Sequence, residues 1–294
     1  MTCRRFWCLA VVASVAAAGQ LSTARAQFDI TVNFTGGLTE SQQATFSTAA
    51  SFWETHIVGY RPAGVTLTGI TINASGADLG GPGGTLGSAG PTSFSNQGGF
   101  RYATAGSMRF DTADLPNMEA NGTLLSVIMH EMAHVMGFGT LWASNGLYSS
   151  GSGQYTGAGA LAMWQTEFDR SGDTSVPVEL AGGGGTANAH WNENTSGSGL
   201  TGITDPQGRD MRNELMTGWL NAPSFVSNTT IQQFFDLGYN VVPVPEPATI
   251  LAIAAVGLVV RRLRRRRSGE RPEPYRLVAT APTSREAATP SSAL

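Results

Sequence analysis

Between Gln27 and Val242 the chain has no lysine and only six arginines, set against seventeen aspartates and glutamates, for a net charge of −11. So acidic a surface excludes the basic stripe that nucleic-acid binding requires. The whole-chain value of −3 conceals this, because a run of arginines near the C-terminal end offsets the acidic middle. Cysteine is nearly as scarce: Cys3 and Cys8 are the only two, and both lie at the extreme N-terminus. The remainder of the chain therefore has no disulfide. Histidine is limited to His56, His130, His134 and His190, so any site built on imidazole has few members to draw on.

Long apolar runs are confined to the two ends. Arg4 and Arg5 precede an apolar stretch from Phe6 to Ala18, and Ala24-Arg25-Ala26 follows with small residues at the positions a signal peptidase reads. Residues 1–26 are expected to be a secretory signal peptide. At the other end, Pro245-Glu246-Pro247 leads into an apolar run from Ala248 to Val260 and then into six arginines between Arg261 and Arg267. The run is short for a spanning helix, and the arginines would keep its C-terminal end in the cytoplasm. Residues 243–267 resemble the PEP-CTERM sorting signal of Gram-negative bacteria. The resemblance implies a transient transmembrane anchor in the inner membrane, processing by an exosortase-type enzyme, and delivery to the cell surface or extracellular matrix. Residues 268–294, rich in Pro, Ser, Thr and Ala, extend past the arginines where such signals usually stop, and are expected to be a disordered tail.

Trimming leaves 27–242, enough for one domain with a sizeable core. Phe28, Ile30, Val32 and Phe34 alternate as in a half-buried strand. Thr39 caps an expected helix running to about Ile57, with Phe46, Ala49, Ala50 and Trp53 at helical spacing. Val65–Asn73 reads as a second strand, Gly76–Pro91 as a glycine-rich loop, and Gly106–Asp111 as a further strand and the expected edge of a substrate cleft. Asn121 or Thr123 opens a helix that Gly137 closes. Residues 141–189 form an expected insertion whose clear periodic piece is Ala160–Phe168. Ser227 or Asn228 caps a last helix, Thr229–Leu237, stopped by Gly238.

The closed helix carries His130-Glu131-Met132-Ala133-His134. Two histidines four residues apart project from one face and can meet on a single ion, while Glu131 stands beside them to accept a proton. Their neighbours Leu125, Val127, Ile128, Met129, Met132 and Val135 are apolar, and a helix so buried does not carry two imidazoles and a carboxylate without a use for them. A shuffled chain with these counts of His and Glu would contain the pattern about once in five hundred. Two histidines leave a zinc site one protein ligand short. Where the longer pattern HExxHxxGxxH has its third histidine, this chain has Thr140. On the residues alone the third ligand is open between His190, His56 and a carboxylate such as Glu167.

The ordered set HEMAHVMG at His130–Gly137, His190-Trp191, and Asn213-Glu-Leu-Met216 resembles the leishmanolysin-like metzincin peptidases. In that family a long insertion separates the HExxH helix from the third histidine, and a methionine turn follows. The resemblance implies an α+β metzincin-type zincin domain, with a twisted mixed sheet, an active-site helix and a less regular C-terminal subdomain. It implies one catalytic Zn2+ held by His130, His134 and His190, with Glu131 as general base and Met216 as the Met-turn residue. The chain departs from the family in lacking its many cysteines and its cysteine-bearing prodomain. The loop around Gly80–Pro91 is similar to the metal loop of matrixins, but Ser88 stands where those have a histidine, so a second, structural zinc is not expected. Asp78 beside it is a candidate Ca2+ ligand. The expected function is that of a secreted zinc endopeptidase acting on protein or peptide substrates. The alternative is a catalytically inactive surface or matrix binding protein on the same fold, against which the intact Glu131 argues.

Overall fold

A capping box starts the first helix. The Thr39 hydroxyl accepts from the Gln42 N–H and the Gln42 side chain accepts from the Thr39 N–H, which satisfies two of the donors a helix start leaves open. In the structure, a computed structural model that describes residues 28–193 and 201–244, this helix, α1 (Glu40–His56), follows strand β1 (Asp29–Phe34). Next come β2 (Ile57–Tyr60), β3 (Gly69–Ala77), β4 (Gly87–Gln97) and β5 (Phe100–Asp111). Helices α2 (Leu115–Ala120) and α3 (Leu124–Met136) complete the first half. Strand β6 (Gln154–Tyr155), α4 (Ala158–Glu167), β7 (Val176–Pro177), α5 (Asn228–Asp236) and β8 (Tyr239–Val241) make up the second.

The chain is thus α+β with a mixed sheet. Strand order is β1-β3-β5-β4, with β1, β3 and β5 parallel and β4 antiparallel to β5. The expected cleft edge, Gly106–Asp111, is instead interior: it is the end of β5, paired on both sides, and the edge strands are β1 and, beside β5, β4. The sequence conceals β4 because none of its residues is buried, so no alternation of apolar residues marks it. Strand β3 also begins four residues later than expected, at Gly69.

Helices α1 and α3 lie together against the sheet. The buried Trp53 indole N–H donates to the Met129 carbonyl at 3.1 Å, joining the two helices. Gly106 lets α3 approach β5, since a Cβ there would come within 2.2 Å of Val135 Cγ1. Phe46, Ile72, Met108, Phe110, Ile128 and Met132 are fully buried between these layers.

The segment expected as an insertion is ordered. It contributes the β6–β7 pair and α4, which packs on α5. The two helices cap each other reciprocally. Glu167, at the end of α4, accepts from the Asn228 and Thr229 N–H groups, each at 2.9 Å, at the start of α5. Asp236, at the end of α5, accepts from the Gly159 and Ala160 N–H groups at 2.7 and 2.9 Å, at the start of α4. A carboxylate at a helix N-terminus satisfies open donors and complements the helix dipole. Strand β8 closes the fold by pairing with β2.

Candidate metal centre

Helix α3 is buried over most of its circumference, with His134 and Glu131 among its buried residues and His130 half-buried. It ends at Gly137, whose φ of +121° few other residues adopt. At the next turn Thr140, in place of a histidine, donates its hydroxyl to the His134 carbonyl at 2.7 Å, so it completes the helix end. Gly139 then lets the exit loop press on a distant segment: a Cβ at Gly139 would lie 2.4 Å from the Ala189 carbonyl oxygen. That close approach brings the residue after Ala189, His190, against the helix.

The Nε2 atoms of His130, His134 and His190 form a triangle with all three sides 3.0 Å. Each Nδ1 faces a backbone carbonyl: His130 that of Leu215 at 2.7 Å, His134 that of Phe138 at 2.9 Å, His190 that of Thr186 at 2.9 Å. A carbonyl can only accept, so each Nδ1 must carry the proton and each neutral ring presents a bare Nε2 lone pair. Three lone pairs at this separation repel one another and cannot hydrogen-bond among themselves. The arrangement is that of a cation site, and among the described residues it is the group of three donors close enough to hold an ion. Burial holds all three rings below the usual histidine range, His134 well below it and His190 at about 3, which keeps them neutral as ligands must be.

Glu131 faces the same cavity, of about 780 Å³, and burial pushes its carboxyl up to about 8. A cation beside it acts in the opposite direction. The carboxylate lies against β4: a Cβ at Gly87 would fall 2.8 Å from Glu131 Oε1. The cavity runs between the unpaired edge of β4 near Gly87–Ala89, helix α3, the loop 182–190 and the turn 214–220. Apart from the histidines its lining carries no cationic side chain, neither lysine nor arginine.

The other candidate ligands are engaged elsewhere. Glu167 caps α5, as described above. His56 sits at the end of α1, its Nδ1 bonded to the Val242 carbonyl at 2.9 Å and its ring against Phe52. Asp78 accepts from the Gly80 N–H, and no group of three metal donors gathers around it among the described residues.

Met216 is fully buried in the turn that supplies the Leu215 carbonyl to His130. Its own carbonyl accepts from the Trp191 N–H at 3.0 Å, next to His190. Trp191 is buried and stacks on Trp142 with ring centroids 5.0 Å apart. Sequence reasoning missed three residues that shape the centre: Gly87, Gly139 and Glu214. The first two are single glycines in a glycine-rich chain. Glu214 was visible only as a charged residue two positions before the methionine.

Among known proteins, the family described as the PEP-CTERM protein-sorting motif matches residues 243–267. The motif indicates export with membrane-associated sorting and implies recognition by an exosortase processing enzyme. No curated protein matches the chain. No helix among the described residues is long and apolar enough to cross a membrane. The expected signal peptide, the apolar run 248–260, the arginine cluster and the tail 268–294 lie outside the described residues.

Proposed function

We propose that the protein is a secreted zinc-dependent endopeptidase built on a metzincin-type fold, with His130, His134 and His190 as ligands and Glu131 as general base. The observation that carries this reading is the convergence of three bare imidazole lone pairs beside a carboxylate in an open cavity. Three neutral imidazoles with room for a further ligand are the donor set of catalytic zinc sites. Zinc held there would polarise the scissile carbonyl and acidify a water.

The chain's own groups then have defined parts. The Leu215, Phe138 and Thr186 carbonyls hold the three rings in the ligating tautomer. Glu131, an acidic side chain of the same cavity and the neighbour of His130 on α3, takes a proton from the attacking water and returns it to the leaving amine. The unpaired edge of β4 offers backbone groups along the cavity, and an extended peptide can add to it as a further strand. The order of the motifs HEMAHVMG, HW and NELM, in which the family resemblance lies, supports the same reading.

The exported protein should digest casein or gelatin and lose that activity on chelation. Glu131→Gln should keep a full complement of zinc and lose activity by about two orders of magnitude or more. Proteolysis surviving in that variant would overturn the assignment.

A further inference from the structure

Glu214 is 1% exposed and anchors two segments directly, its own turn and the start of α5, and a third through Thr230. Its Oε2 accepts from the Met216 N–H at 2.6 Å, which tightens the turn. Its Oε1 accepts from the Ser227 N–H at 3.0 Å, the Ser227 hydroxyl at 2.9 Å and the Thr230 hydroxyl at 2.6 Å, at the start of α5. The direction of the last bond is forced. The ionised carboxylate can only accept, so the Thr230 proton goes to Glu214, while Thr230 Oγ1 accepts from the Trp191 indole N–H at 2.9 Å.

Both branches end on the metal centre. Along the turn, Glu214 fixes Met216, and between them stands Leu215, whose carbonyl orients His130. Through Thr230 it fixes the Trp191 side chain, and the Trp191 N–H is tied back to the Met216 carbonyl, so the residue following His190 is gripped at two points. We propose that Glu214 is the positioning residue of the metal centre, setting the ring of His130 and the backbone of His190 through the turn and Trp191. Although it borders the same cavity, its bonds go to the turn and to the start of α5, and it acts on the centre through them. Helix α3 alone brings two ligands together, and this carboxylate ties the segment that delivers the third to the segment that orients the first.

The inference rests on the three histidines binding a metal and not on peptide hydrolysis, so the test reads the metal. Glu214→Gln can keep an oxygen toward Ser227 and Thr230, but it then points an amide N–H at the Met216 N–H, which loosens the turn selectively. Glu167→Gln is the control, since Glu167 is also buried and also caps α5, but its bonds go to Asn228 and Thr229 rather than to the turn or to Trp191. Thr230→Val removes the Trp191 branch without touching the turn. Zn2+ affinity by chelator competition and the visible spectrum of the Co2+ form are measured for all four proteins. Expected are affinities about 10- to 100-fold weaker and altered Co2+ bands in Glu214→Gln and Thr230→Val, with Glu167→Gln within about threefold of wild type. Wild-type values in Thr230→Val and in a folded Glu214→Gln overturn the proposal, as does an equal loss in Glu167→Gln. Should Glu214→Gln not fold, Thr230→Val against Glu167→Gln decides. A wild-type chain that binds neither ion overturns the metal centre itself, which is a different result.

Discussion

At the scale of single residues, Gly87 matters for the space it leaves rather than for its backbone freedom. The Glu131 carboxylate occupies the volume that any Cβ at position 87 would need. Gly87→Ala should therefore displace the carboxylate while leaving the histidines alone. We expect kcat/KM to fall by about 10- to 100-fold with zinc content unchanged, because small misplacements of a reacting group are costly. Unchanged kinetics would mean that Glu131 has slack the structure does not indicate. The ligand assignment is tested the same way. His190→Ala should lose the stoichiometric ion, whereas His56→Ala and Glu167→Ala should retain it, since those side chains bond to Val242 and to α5. A wild-type zinc content in His190→Ala would reject the third ligand.

At the scale of elements, the reciprocal capping of α4 and α5 substitutes for the weak amphipathic character of α4. Asp236 accepts three bonds, from Gly159, Ala160 and the Tyr155 hydroxyl. Asp236→Ala leaves those donors buried without partners and should cost about 2 kcal/mol. That corresponds to a fall in Tm of roughly 4–8 °C for a domain of this size, and a change within error of zero would refute the capping role. A second carboxylate, Asp111 at the end of β5, anchors the glycine-rich loop by accepting from Leu79, Gly81 and Ala113. The Leu79 N–H, ahead of the other bonds, holds Asp111 below the usual aspartate range and outweighs the opposing effect of burial. A depressed value means stability that is present above the unfolded pKa of 3.8 and lost as pH falls through the folded value. Asp111→Asn should thus be less stable than wild type at pH 7, with the gap closing in acid. A gap that stays constant from pH 7 to pH 2 would show that the loop is not held by the charge.

At the scale of the whole molecule, the sorting motif begins at residue 243, yet Val244 is still part of the folded body. Its N–H donates to Asn228 Oδ1 at 2.7 Å and its carbonyl accepts from Asn228 Nδ2 at 3.3 Å, while Val242 is bonded to His56. Because the motif's second residue is held by Asn228, a flexible Gly/Ser linker inserted after Val244 should speed exosortase processing. Unchanged processing in pulse-chase would count against that coupling. The sequence alone carried the acidic middle, the sorting motif, α1 with its Thr39 cap and the HExxH helix. Each of these is written in neighbouring residues, as composition, a 3.6-residue period or a capping pattern. It could not decide among His190, His56 and Glu167, because that choice depends on which distant segment Gly139 allows to approach α3. Strand β4 was illegible for the same reason: an edge strand with no buried residue has no periodic signature, and only pairing with β5 defines it. Glu214 is one acidic residue among many in the sequence, and only the fold turns it into the buried acceptor of four hydrogen bonds from three residues in two segments.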